Sequence, residues 1–304
     1  QISNYNPKKI VLIDQAETPL YDIQTEVVKT FPNIKYKFII SDVVNYDKLD
    51  KIFEHYRPDI VYHAAAYKHV PMMESNPAEA ILVNVQGSKN LADLSLKYDV
   101  DKFVMVSTDK AVNPSNVMGA SKRIAEMYVQ SLHFHTRQSL SFKTNFITTR
   151  FGNVLGSNGS VVPLFKKQIE EGGPLTITHP DIIRYFMTIP EACQLVLEAA
   201  SMGKGGEIFI FDMGKAVKII DLATKIIKLA GFIPNKDIDI KVIGLRPGEK
   251  LFEELLCDKT KTLPTYNKKI MIAKVHAEEF NKLSEEISIL VDYANQVNNH
   301  KMVT

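Results

Sequence analysis

Tryptophan is absent from this 304-residue chain, and cysteine is nearly so, with Cys193 and Cys257 the only two. Two cysteines that far apart build no disulfide framework and match no zinc-ligand spacing, which points to a reducing compartment. Charge of one sign is not in excess. Lys and Arg number 37 against 35 Asp and Glu, a formal net charge of +2. That balance gives no electrostatic case for a nucleic-acid partner. Long apolar runs are missing too: none approaches the roughly 18 residues of a membrane-spanning helix, and no stretch reads as a secretory signal. Repeats and low-complexity segments are not found, and the expected compartment is the cytoplasm. What is present, 45% hydrophobic and 24% charged residues, is ordinary globular composition, enough for one large domain or a large and a small one.

Short β-branched runs alternate with amphipathic segments, the rhythm of a parallel α/β sheet. Strands are expected over 8–14, 36–43, 59–66, 102–108, 144–154 and 207–212, and helices near 20–30, 46–56, 77–98, 118–137, 160–171 and 190–201. The third helix carries a start signal: Asn76 as cap, Pro77 in the first turn and Glu79 three residues after the cap. The strands read as continuously apolar, as they do when helices cover both faces of a sheet. This predicts a doubly wound, Rossmann-like domain over 1–155. Beyond it the rhythm loosens at GSNGS, EGGP and GLRPGEK, and 156–304 is expected to form a smaller lobe interleaved with the last strands. A helix is expected over about 276–298.

Ligands of such sheets bind beyond the carboxyl ends of the strands. Asp14 ends the first run, where a carboxylate can accept hydrogen bonds from an adenosine ribose and would repel a 2′-phosphate, favouring NAD over NADP. The alternative is a loop aspartate capping the next helix. Asp42 carries the same two readings, adenine contact or cap. A glycine-rich phosphate loop belongs about 20 residues before Asp14 and is not found. QISNYNP reads as the tail of the helix that would follow that loop. The expectation is therefore a chain without its first strand, loop and most of its first helix, the missing strand lying between those that end at Asp14 and Ala66.

Four motifs occur in order: VYHAAAYKHVPMMESNPAEAILVNVQGSKNLADLS, KFVMVSTDKAVNPSNVMGASKRIAE, RFGNVLGSNGSVVPLF and GLRPGEKLFEELL. Together they resemble the extended short-chain dehydrogenase/reductase superfamily and, within it, the UDP-N-acetylglucosamine 4,6-dehydratases of capsule and O-antigen synthesis. In the membrane-bound branch of these proteins the domain follows transmembrane helices that this chain lacks. The resemblance implies hydride transfer from C4 of the sugar to NAD, loss of the C6 hydroxyl as water, and return of hydride to C6. It also implies a UDP-sugar substrate and assembly into at least a homodimer.

The same resemblance assigns roles. Thr108 hydrogen-bonds the 4-hydroxyl, Asp109 protonates the departing C6 hydroxyl and Lys110 takes the C5 proton. The last two roles call for a raised carboxyl pKa and an ammonium pKa lowered by burial. On the tetrapeptide alone, Asp109 and Lys110 are equally a solvated turn at a strand end. Lys122 would hydrogen-bond the nicotinamide ribose. Met118 stands where relatives place a tyrosine, and a thioether transfers no proton; several polysaccharide-type dehydratases share it. The 4-hydroxyl proton then falls to Asp109 or to a water held by Thr108 and Lys122. Ala64 and Ala65 would lie against the cofactor. Lys68, His69, Asn153, Arg246 and Glu249 would hold the sugar diphosphate and the uridine ribose, arginine suiting phosphate through its planar fork. His63 reads as structural, and His133 and His135 face apart on a helix, which rejects a metal pair. Two other functions fit the nucleotide motifs: a sugar 4-epimerase, which has no use for an Asp-Lys elimination pair, and a non-catalytic NAD-sensing protein on the same fold.

Overall fold

The computed structural model describes residues 1–138, 143–253, 262–275 and 277–297. Cys257 and the last residues of GLRPGEKLFEELL lie outside them. After a 3-10 turn at Ile2–Tyr5, the first half alternates strictly. It runs β1 (Lys9–Asp14), α1 (Glu17–Thr30), β2 (Lys35–Ile40), α2 (Tyr46–Tyr56), β3 (Ile60–His63), α3 (Val70–Ser75) and α4 (Pro77–Ala80). A π-helical segment over Ile81–Gln86 leads on into α5 (Gly87–Lys97). Then come β4 (Lys102–Thr108), α6 (Val117–Arg137) and β5 (Asn145–Phe151).

β3, β4, β5 and β10 (Ile208–Phe211) are parallel neighbours, with β14 (Ile270–Ala273) and β13 (Thr262–Pro264) added antiparallel at the far edge. β1 and β2 pair in parallel with each other but are not hydrogen-bonded to β3. The two sets of strands therefore form separate ladders. Interior strands β4, β5 and β10 are nearly wholly buried, whereas β1 and β2 are only half-buried. The Phe103 and Phe146 rings, both inaccessible, lie 5.6 Å apart in the core between the sheet and α5, α6 and α10 (Phe280–Asn295). Burying each such side chain contributes about 1.5–3 kcal/mol.

Two local expectations need correction. Asn76 does not cap a helix with its side chain; its amide donates to the Met72 carbonyl, because α3 already occupies the preceding turn. The 77–98 helix is not uniform either, since its middle is π-helical. That widened turn places the fully buried Asn84 side chain against the loop after β3. There it accepts from Tyr67 N–H at 2.8 Å and donates to Tyr67 C=O and to Ser121 Oγ of α6. π-turns of this kind recur at functional sites. The strand expected over 144–154 breaks at Gly152 into β5 and β6 (Asn153–Leu155).

Beyond β6, a second apolar cluster gathers α7 (Val161–Glu170), β7 (Leu175–Ile177) and α9 (Ile219–Leu229) around Phe165, Leu175 and Ile227. β7 pairs with β12 (Ile240–Val242), β8 (Ile183–Arg184) with β11 (Val217–Lys218), and β6 with β9 (Phe186–Thr188). Between these pieces α8 (Ile189–Met202) and β10 return to the main sheet. No helix among the described residues is long and apolar enough to cross a membrane.

Candidate active site

A cleft of about 510 Å³ opens over the carboxyl ends of β3, β4 and β5, with the second cluster forming its other wall. It is lined by Ala64, Lys68, His69, Thr108, Lys110, Met118, Lys122, Asn153, Arg246 and Glu249, along with Arg184, Lys250 and Glu253. Six cationic side chains thus face two carboxylates, in a chain whose overall charge is close to neutral. The site concentrates positive charge where an anionic ligand would enter.

β4 ends at Thr108 and turns at once into a 3-10 turn over Asp109–Ala111. The turn puts Asp109 beneath the cleft floor, 3% exposed, where Oδ1 accepts from Thr108 Oγ1 at 2.9 Å and from Lys110 Nζ at 3.0 Å. α6 packs directly on this turn: a Cβ on Gly119 would lie 2.3 Å from the Lys110 carbonyl oxygen, so only glycine permits that approach. Asn116 caps α6 by accepting from Gly119 N–H, and Glu74 accepts from Val117 N–H.

Lys110 departs from the expectation of a lowered pKa. Burial alone pulls it down, but the carboxylates of Asp109 and Glu253, the latter 3.3 Å from Nζ, together outweigh that and leave it raised. The turn holds an ion pair rather than a free amine. Lys122 behaves oppositely. It is 4% exposed, donates to the Val106 carbonyl at 2.8 Å, and burial lowers its pKa to about 8, against the pull of Glu126 one turn on. Glu126 is itself held by Arg150, in a buried pair, and by Arg123. Met118 is 3% exposed and packs with Met73 and Ala80, flanked by Tyr67 and Val70.

Asp14, Asp42 and Ala65 lie outside the cleft lining. Asp14 Oδ1 accepts from Ala16 N–H and Asp42 Oδ1 from Val44 N–H, so both carboxylates close the turns after their strands. Asp14, Ala64 and Ala65 are nevertheless exposed at the carboxyl ends of β1 and β3. His63 is fully buried, 2.8 Å from Ser88 Oγ, and its pKa falls to about 3 through burial and the Lys122 charge. His133 is buried, whereas His135 stacks on Phe280, and no metal-ligand cluster occurs among the described residues.

On the lobe side, Lys68 Nζ donates to the Asn158 carbonyl, and His69 abuts Gly159, joining the loop after β3 to the GSNGS turn. Burial, then the charges of Lys68 and Arg246, hold His69 below the usual imidazole range. Arg246 is exposed and pairs with Glu249 at 3.3 Å. Its loop is docked through Gly248, whose φ of +73° and close contacts with Val70, Asn116 and Glu74 exclude a side chain, and whose carbonyl accepts from Asn116 Nδ2. Two residues here escaped the sequence reading. Arg184 donates to the carbonyls of Ile183, Lys250 and Leu251, and Glu253 lies between Arg184 and Lys110. Glu253 stands in a motif that was recognised, but nothing in DIIRYF singles out Arg184.

Known proteins agree with this architecture. The chain is 55% identical over 257 residues to the capsular polysaccharide biosynthesis protein CapD of Staphylococcus aureus, covering 84% of this chain and 42% of CapD. It therefore spans about two-fifths of that relative's length. It is 39% identical over 267 residues to a UDP-glucose 4-epimerase of Rickettsia canadensis, covering 86% and 75% of the two chains. To a UDP-N-acetylglucosamine 4,6-dehydratase (inverting) of Campylobacter jejuni it is 37% identical over 257 residues, covering 84% and 71%. Among solved structures, Pen from Bacillus thuringiensis superposes with a TM-score of 0.80 at 33% identity, over 90% of this chain and 82% of that one. Residues 1–275 match the family described as polysaccharide biosynthesis protein, and the chain belongs to that family.

Proposed function

We propose that this chain carries out the NAD-dependent 4,6-dehydration of UDP-N-acetylglucosamine, giving a UDP-4-keto-6-deoxy-N-acetylhexosamine for polysaccharide synthesis. The observation that carries this reading is the pair of buried Asp109 and half-buried Lys110, 3.0 Å apart at the carboxyl end of β4 in a cationic cleft. Elimination across C5–C6 needs an acid and a base side by side. An epimerase needs neither, which sets this reading above the 4-epimerase suggested by the Rickettsia relative.

The residues present fit NAD. Exposed Ala64 and Ala65 carry nothing beyond Cβ where a dinucleotide would cross β3, and exposed Asp14 suits a ribose while repelling a 2′-phosphate. Bound NAD+ supplies a reversible acceptor for the hydride that leaves C4 and returns at C6. The chain's own residues manage the protons. Thr108 orients the 4-hydroxyl. With a thioether at Met118, the hydroxyl proton passes to the neutral fraction of Lys122, whose pKa near 8 leaves some amine at working pH. Transfer of one proton from Lys110 Nζ to Asp109 Oδ1 turns the ion pair into a base and an acid together. The amine then takes the C5 proton, and the C–H electron pair becomes the C5–C6 double bond. The C6–O bond breaks as Asp109 delivers its proton and water departs. On return of the hydride, C5 would recover its proton from Lys110, and the hydroxyl proton held by Lys122 would pass by way of solvent to restore the Lys110 ammonium. Arg246, Lys68 and His69 face the diphosphate, with Asn153 and Glu249 holding the sugar and the uridine ribose.

Incubation with UDP-N-acetylglucosamine and NAD+, followed by NMR of the sugar, tests this. A 4-keto-6-deoxy product is expected; a galacto epimer would support epimerisation, and bound cofactor without turnover a sensing role. Lys110→Ala is expected to abolish dehydration while NAD affinity stays within about threefold, since the lost group acts on the sugar.

A further inference from the structure

The loop that carries Arg246 and Glu249 does more than line the cleft. Its far end delivers Glu253, 8% exposed, with Oε1 3.3 Å from Lys110 Nζ and 3.5 Å from Arg184 Nε. Asn116 Nδ2 donates to Gly248 C=O and Lys250 Nζ to Asn113 C=O, so the loop is pinned to the segment between β4 and α6 at two further points. Resting on the reading of Lys110 as the C5 base, we infer that Glu253 is a positioning residue that orients the Lys110 amine and stabilises the ammonium formed when it takes the C5 proton.

A buried carboxylate between two cations adds little net stability against an apolar alternative, so its seat on the reactive lysine is the informative fact. The arrangement follows the logic of a base backed by a carboxylate, in which the third group does not itself exchange a proton with substrate. Three groups face Lys110: Asp109 on its own turn and Glu253 from the loop, which raise its affinity for a proton, and Arg184 from β8, which lowers it. Arg184 in turn stands 3.9 Å from Glu249 and is held by three backbone carbonyls. Seating the nucleotide loop and aiming the base are therefore one event, because the same short segment does both.

The test is E253Q, which keeps the shape and removes the charge. Removing it lowers the proton affinity of Lys110, so the alkaline limb of the kcat/KM–pH profile moves to lower pH. In parallel, kcat for the 4-keto-6-deoxy product falls about 10- to 100-fold, with KM for UDP-N-acetylglucosamine within about threefold. Arg184→Gln moves the same limb to higher pH, and it serves where E253Q does not fold. An unmoved limb in a folded variant, or a change confined to KM, overturns the positioning role while the dehydratase reading stands. Wild-type protein that makes no 4-keto-6-deoxy product overturns that reading, and the role of Glu253 with it.

Discussion

Lys110 and Lys122 show how position alone separates two chemically identical side chains. Both line the same cleft, Lys122 buried and Lys110 half-buried, yet two carboxylates hold the first as an ammonium, while the second meets only a backbone carbonyl and one more distant carboxylate. Burial disfavours charge in both cases, and the local partners decide which way the balance falls. The neutral fraction of Lys122 grows as pH rises through about 8. Stopped-flow absorbance of the first hydride transfer should therefore accelerate with pH up to that point and level off above it, and Lys122→Met should abolish the rise. Met118 has a different part. It fills a small cluster with Met73 and Ala80, and Met118→Ala is expected to cost about 2–4 kcal/mol of stability in urea unfolding, the price of a core cavity.

At the scale of elements, the site depends on three contacts between helix and loop rather than on any one strand. α6 approaches the 3-10 turn through Gly119, the π-segment grips Tyr67 through Asn84, and the loop carrying Arg246 and Glu249 rests on Asn116 through Gly248. Asn84→Ala would leave the Tyr67 N–H without its partner in a part-buried setting. A loss of about 1–3 kcal/mol is expected, read by thermal unfolding. The Glu126–Arg150 pair is the analogous tie between α6 and β5, both partners at 4% exposure or less. Arg150→Met leaves the buried Glu126 carboxylate with the partly exposed Arg123 as its one remaining cation, and a loss of about 3 kcal/mol is expected in the same assay.

At the scale of the whole molecule, charge is distributed rather than abundant. The near-neutral chain gathers six cations around one cleft, so KM for a UDP-sugar is expected to rise with ionic strength while kcat changes little. A steady-state series from low to high salt checks this, and a flat KM would contradict it. The second core likewise gives the cleft its far wall, through segments that leave the main sheet after β6 and return to it at α8. α10 covers α6 and the π-segment with Leu283, Ile287 and Val291, so this helix packs on the body of the molecule.

The alternating apolar runs determined the parallel sheet by themselves, because strand period and helix period are local properties of the chain. They also determined that Thr108, Asp109 and Lys110 stand at the carboxyl edge of the sheet, since these residues close the apolar run of β4. Spacing along one helix likewise linked Met118 to Lys122. Only the tertiary structure decided the full set of charges acting on Lys110, because burial sets its desolvation and the second carboxylate beside Asp109, Glu253, arrives from a loop far along the chain. It decided the recruitment of Arg184 for the same reason. Burial and long-range pairing set electrostatics, and neither is written in the order of neighbouring residues.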